Sequence, residues 1–208
     1  MTKLISEHPG YLVATKDLRT LFDHTDYKST FDDIDVTITS MAYGNSAVEA
    51  IELCDIDNAI CILDSGNYTD DVADIWNIAS KLGCVVILVW LHENGFDGKC
   101  TTDAMNCAAF NGNICSLMFL HETGHGCTTD AMDCAAMNGH LDILKWLHKY
   151  RTEGCTDQAM CWAASNGYFD IVKWLYKHRP GEYDIERALK DAISSRHTDI
   201  AKWLRKRM

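Results

Sequence analysis

Residues 100–109 read CTTDAMNCAA and residues 127–136 read CTTDAMDCAA. Nine of the ten positions agree across a spacing of 27 residues, and the tenth exchanges Asn106 for Asp133. Chance does not write one phrase twice, so the phrase marks a unit. Followed forward, the second copy continues through NGHLDILKWLHKYRTEG and is answered by CTDQAMCWAASNGYFDIVKWLYKHR, where Ala163, Gly167 and Trp174 stand for Ala135, Gly139 and Trp146. The stretch AISSRHTDIAKWLRK repeats the second half again, with Asp199 for Asp170, Trp203 for Trp174 and Arg196 at the turn glycine. Backwards, NIASKLGCVVILVWLHENG sets Ala79, Gly83, Trp90 and His92 where the next copy has Ala108, Gly112, Phe119 and His121. A fainter copy precedes it in AVEAIELC and DNAICILD. The register divides the chain after residue 45 into units of about 46–71, 72–99, 100–126, 127–154, 155–180 and 181–208.

Each unit holds two helical patterns divided by a glycine. In the unit at 127–154, Thr129 or Asp130 is expected to cap the first helix, because a side-chain oxygen there accepts the free amide hydrogens of the opening turn. Ala131, Met132, Ala135 and Ala136 share one helical face, and small alanines let a neighbouring helix approach closely. Asn138 and Gly139 end that helix, since glycine tolerates the left-handed backbone that side chains resist. A second helix is expected from about Leu141 to Tyr150, with Leu141, Ile143, Leu144 and Leu147 as its apolar stripe. One such pair cannot bury its own apolar face, so stacking of copies must make the core. The fold class read from the sequence is therefore all-α, a solenoid of stacked helix-turn-helix units. Residues 1–45 do not fit the unit and are expected to cap the solenoid, with a helix at DLRTLFDHTD and a short strand at DVTIT.

The segment NGHLDILKWLHKY, following an Ala-Ala pair and two variable residues, resembles the second half of an ankyrin repeat. The units are most similar to the shortened, divergent ankyrin-type repeats of giant DNA viruses and oomycetes. Two departures accompany the resemblance. The family's Thr-Pro-Leu-His tetrapeptide is replaced by Asp-Ala-Met-Asp at 130–133, and the units are about five residues shorter than the usual 33. Both weigh against a projecting hairpin, and tighter loops are expected at KYRTEGC and ETGHGC.

The formal charge of −11 resides entirely in residues 1–99, which hold 6 basic against 17 acidic side chains; from Cys100 onward the count is 13 against 13. A chain that repels polyanions is a poor match for nucleic acid. No apolar run approaches the roughly 20 residues of a membrane span. No secretory signal is visible at the N-terminus, which favours a cytoplasmic or nuclear location, in a host cell if the protein is viral.

Ten cysteines invite a metal-site reading, yet none lie at the two-to-four spacing of zinc pairs. They recur instead with the unit: Cys100, Cys127 and Cys155 share a loop position, Cys107 and Cys134 a helix position. His92, His121 and His148 likewise share one place, and Trp90, Trp146, Trp174 and Trp203 another, as packing or capping groups do. No nucleophile, base and orienting group stand out, and no metal, cofactor, catalytic residue or small-molecule substrate is expected.

The function that follows is a non-enzymatic protein-interaction scaffold with an unidentified protein partner. The alternatives are a Cys/His metal-dependent sensor or enzyme, and a substrate adaptor for a host ubiquitin ligase. The resemblance implies that the two variable residues after Ala-Ala face a concave surface: Phe110 with Asn111, Met137 with Asn138, and Ser165 with Asn166. A second candidate comes from a break in the pattern. Later units carry Asp142 with Lys145, Asp170 with Lys173 and Asp199 with Lys202, whereas the earlier ones have Val86 with Val89 and Cys115 with Met118. Those four form an apolar patch that either the N-terminal segment or a second protein is expected to cover.

Overall fold

The Ala-rich run, the turn glycine and the Leu-rich run of each unit become a helix, a tight turn and a second helix. The computed structural model describes residues 44–208. The helices are α1 (Ala47–Glu52), α2 (Ile56–Asp64), α3 (Val72–Leu82), α4 (Val85–Glu93), α5 (Thr102–Phe110), α6 (Ile114–Glu122), α7 (Thr129–Met137), α8 (Leu141–Tyr150), α9 (Asp157–Ser165), α10 (Phe169–His178), α11 (Ile185–Ser194) and α12 (Thr198–Arg205), with a 3-10 turn at Asp97–Lys99. They form six antiparallel pairs stacked in chain order. The fold is an all-α solenoid of helix-turn-helix repeats, without a strand among the described residues. The loops at 123–128 and 151–155 accordingly carry no β-hairpin. The helix and strand expected within residues 1–43 lie outside the described residues.

The odd-numbered helices come closest to one another because their facing positions are alanines. Ala104, Ala108, Ala131, Ala135, Ala159 and Ala163 are all fully buried. The even-numbered helices contribute the larger side chains, including Leu117, Leu120, Ile143, Leu144, Leu147, Val172 and Leu175, which join the alanines in one continuous core. Successive first helices are in closer contact than successive second helices, and the side that the first helices line is termed the inner side.

The turn glycine answers two demands at once. Gly112 and Gly139 have φ of 80° and 85°, a conformation that costs an L-residue about 1–2 kcal/mol. The residue opening the next repeat's second helix also lies directly over each of them. A Cβ at Gly112 would stand 2.8 Å from His140 Cε1, and one at Gly139 2.7 Å from Tyr168 Cε1. The His140 ring takes a hydrogen-bonding position there, with Nε2 3.1 Å from the Phe110 carbonyl oxygen of the preceding repeat. His140 thus links one repeat to the one before it. Arg196 keeps the left-handed turn in the last repeat with φ 65°.

The cap of α7 differs from the sequence reading. The N-cap is Thr128, whose hydroxyl accepts from Asp130 N, while Thr129 is the first helical residue. Thr101 and Thr156 cap α5 and α9 in the same way.

Candidate functional site

The one position at which the two quoted phrases differ joins repeat to repeat. Asn106, on α5, accepts from Thr128 N at 3.2 Å through its Oδ1 and donates from Nδ2 to Thr128 Oγ1 at 3.0 Å. Asp133, on α7, accepts from Thr156 N at 2.8 Å and from the Thr156 hydroxyl at 2.6 Å. Both side chains are buried and each holds the capping threonine of the following first helix. Amide and carboxylate do the same work because the threonine hydroxyl can either accept or donate. Burial pushes the Asp133 carboxyl above its ordinary pKa, with the Thr156 hydrogen bonds opposing.

The repeated histidines belong to the junctions as well. His121 stands edge-on to Trp146 of the next repeat at 5.1 Å, and His148 edge-on to Trp174 at 5.1 Å. His92 meets Phe119 similarly and also contacts Asp97 at 2.9 Å. Arg151 Nη1 lies 3.3 Å from His121 Nδ1, and Arg179 Nη1 3.3 Å from His148 Nδ1. The two arginines in turn pair with Glu153 and Glu182. Burial and then the adjacent guanidinium lower the pKa of His121 and of His148 below the ordinary 6.5. The Arg151 hydrogen bond pulls Glu153 down to about 2.

These shifts set an acid response in two stages. A histidine that resists protonation when folded contributes stability that is complete above pH 6.5 and is lost as the pH falls through its lower folded pKa. Glu153 contributes stability above its ordinary 4.5 that is lost as the pH falls towards about 2. The thermal midpoint is therefore expected to begin falling below pH 6.5, and the His121→Phe/His148→Phe double variant to stay level down to about 4.5. An unchanged decline in the double variant between those values would place the linkage elsewhere.

The cysteines do not gather into a metal-binding group among the described residues. All ten are free thiols. Burial is the largest influence on the repeated loop position, pushing Cys100, Cys127 and Cys155 up to about 12, 11 and 12. The Cys155 thiol donates to Glu182 at 3.3 Å. Among the described residues no three His, Cys, Asp or Glu side chains are grouped to hold a metal ion, and none of the helices is long and apolar enough to cross a membrane.

The proposed contact residues fall on two faces. Phe110, Met137 and Ser165 occupy equivalent positions at the ends of α5, α7 and α9 on the inner side. Phe110 is 41% exposed and Met137 is half-buried. Their asparagine neighbours are engaged within the fold: Asn111 and Asn138 donate to the carbonyls of Cys107 and Cys134, and Asn166 to that of Met137. Ser165 Oγ meets Ser195 Oγ at 3.0 Å. The sequence reading passed over Trp162, which is half-buried on α9 at the repeat position of Cys107 and Cys134. The signal was present in the register, since Trp162 lies 28 residues beyond Cys134. On the other face, Val86 and Val89 of α4 and Met118 of α6 are half-buried and Cys115 is exposed. Ile60, half-buried at the equivalent position of α2, extends that row. The N-terminal segment expected to cover the patch is outside the described residues.

A stack of short helix pairs, joined through caps and turns at a fixed register, defines the class of α-solenoid repeat proteins. Residues 132–207 match the family model of ankyrin repeats in 3 copies, and that stretch is built of ankyrin repeats. No curated protein matches the chain.

Proposed function

We infer that the repeats serve as a protein–protein interaction module, as ankyrin repeats generally do, and as a scaffold of the typically non-enzymatic kind. We propose that the inner face of α5, α7 and α9 binds a protein partner, with Phe110 and Met137 as its central apolar contacts and Trp162 beside them. The observation that carries this reading is the exposure of Phe110 on a helix whose other large apolar residue, Met105, is fully buried. Isolated exposed apolar residues are ordinary. Here, however, an aromatic ring, a thioether and an indole stand on the first helices of three consecutive repeats, and aromatic side chains and methionine are enriched at interfaces. Asp103 and Asp130 sit in the first turns of α5 and α7, so a partner with basic residues flanking an apolar anchor would suit the face. The metal-sensor alternative finds no support in the raised pKa of the buried thiols, because the thiolate is the metal ligand. Stoichiometric zinc in protein purified under reducing conditions would revive it.

The Phe110→Ser/Met137→Ser double variant is expected to lose capture of the partner isolated with the parent protein, by a hundredfold or more in affinity on the order of the ~3 kcal/mol that central contacts carry. Its thermal midpoint should remain within about 4 °C of the parent, since about 1 kcal/mol or less is expected for one exposed and one half-buried site outside the core. A large loss of stability would place both residues in the core and remove the reading.

A further inference from the structure

Two departures from the repeat meet at its first junction. At four junctions the residue that opens a second helix lies over the turn glycine of the preceding repeat: Asn113 over Gly83, His140 over Gly112, Tyr168 over Gly139 and His197 over Gly167. The same register places Cys84, the N-cap of α4, over Cys54, the turn residue between α1 and α2. Cys54 keeps the left-handed backbone with φ 60° although it has a side chain. A Cβ is admissible where the overlying residue is short, whereas the rings at the later junctions would crowd it. The Asn113 junction supplies the distance: a Cβ at Gly83 would stand 3.2 Å from Asn113 Cγ. By register the Cys84 Sγ, one bond beyond its own Cβ, corresponds to that Cγ. In a disulfide the separation from one Cβ to the far sulfur is about 3 Å. The adjacency has an independent sign, in that the Cys84 thiol is pushed up by burial and then by Cys54 itself.

We propose that Cys54 and Cys84 form an oxidisable dithiol, which a hydroperoxide converts to a disulfide joining the first two repeats. Cys54 is exposed and Cys84 half-buried, which fixes the order of events. The Cys54 thiolate attacks the peroxide O–O bond, releasing hydroxide and leaving a sulfenic acid. The Cys84 sulfur then attacks the Cys54 sulfur and displaces hydroxide, which leaves as water with the Cys84 proton. The sum is two thiols and one hydrogen peroxide giving one disulfide and two waters. Cys127, Cys155 and Cys161 are buried and do not compete for the oxidant, and the equivalent of Cys54 at every later internal junction is a glycine.

The test uses the full chain, reduced, desalted and treated with stoichiometric hydrogen peroxide. Intact mass should fall by two hydrogens, and peptide mapping should recover the Cys54 and Cys84 peptides as one cross-linked species. Closing a loop of this length should raise the first thermal transition by roughly 5 °C or more, reversed by a dithiol reductant. Cys54→Gly installs the residue the other repeats use there, so its fold is retained while both the mass change and the thermal shift disappear. Cys115→Ser, which removes another exposed thiol, should change neither. Oxidation of Cys54 to sulfinic acid without a cross-link would overturn the proposal. So would a disulfide to any other cysteine or to a second chain, or the same mass loss in Cys54→Gly.

Discussion

Asp133→Ala is expected to destabilise the protein by about 3 kcal/mol, and Asp133→Asn by no more than about 1 kcal/mol, in denaturant unfolding. Alanine removes both acceptors of Thr156, leaving its backbone N–H and hydroxyl without them beside a position that is only 2% exposed. Loss of a buried partner costs the desolvation of the group left behind as well as the bond itself. Asparagine has a precedent within the same chain, since Asn106 holds Thr128 with one acceptor and one donor. The two variants should differ in acid too. A carboxyl whose folded pKa is raised stabilises the fold at low pH and loses that contribution as the pH rises through its folded value. Asp133→Asn removes this term, leaving the decline set by His121, His148 and Glu153. Equal damage from asparagine and alanine would show that the clamp is not what the position provides.

The same pair of residues shows what a sequence can disclose about a stacked repeat. The two helices of each unit, their apolar faces and the glycine between them are decided within a few residues, by periodicity and by the left-handed turn. The expected second helix, Leu141–Tyr150, is the observed α8. The cap of α7 is Thr128, one residue before Thr129 and two before Asp130, the two candidates the sequence offers; all three are able to cap as isolated side chains. What selects Thr128 is the Asn106 side chain, 22 residues earlier. A partner at that separation follows from stacking geometry, which no local pattern contains.

The candidate surface was legible for a related reason. The core-facing positions of the first helices are mostly alanine or methionine, so a large apolar residue at the variable end of such a helix stands outside that frame. Phe110 and Met137 satisfy that rule. The asparagines beside them also look like surface residues in the sequence, but their amides satisfy carbonyls that helix ends leave unpaired. Polarity in a turn therefore says less about binding than apolarity on an otherwise alanine-lined helix does.

Removal of residues 185–208 should have the largest effect on the molecule. In α11 and α12 Ala188, Ala192, Ile200 and Leu204 are fully buried, whereas Lys190, Ser194, Lys202 and Arg205 are exposed, so the pair offers one apolar side to its neighbour and a polar side to water. Its contacts with the preceding repeat recur along the whole junction. Arg187 pairs with Asp157 at 2.7 Å, His197 lies over Gly167, and Trp203 stands edge-on to Phe169 and Tyr176 at 6.0 and 5.2 Å. Deletion would return those two rings, and the alanine face of α9, to water. Exposing some 400 Å² of apolar surface costs on the order of 10 kcal/mol at roughly 25 cal/mol per Å². Since a repeat array is stabilised chiefly by such nearest-neighbour interfaces, the loss should spread to α9 and α10. The truncated chain is expected to bind a hydrophobic dye, to melt at least ~10 °C lower and to associate at concentrations where the parent is monodisperse. A truncated protein as soluble and as stable as the parent would mean that the interface between repeats does not hold the solenoid together.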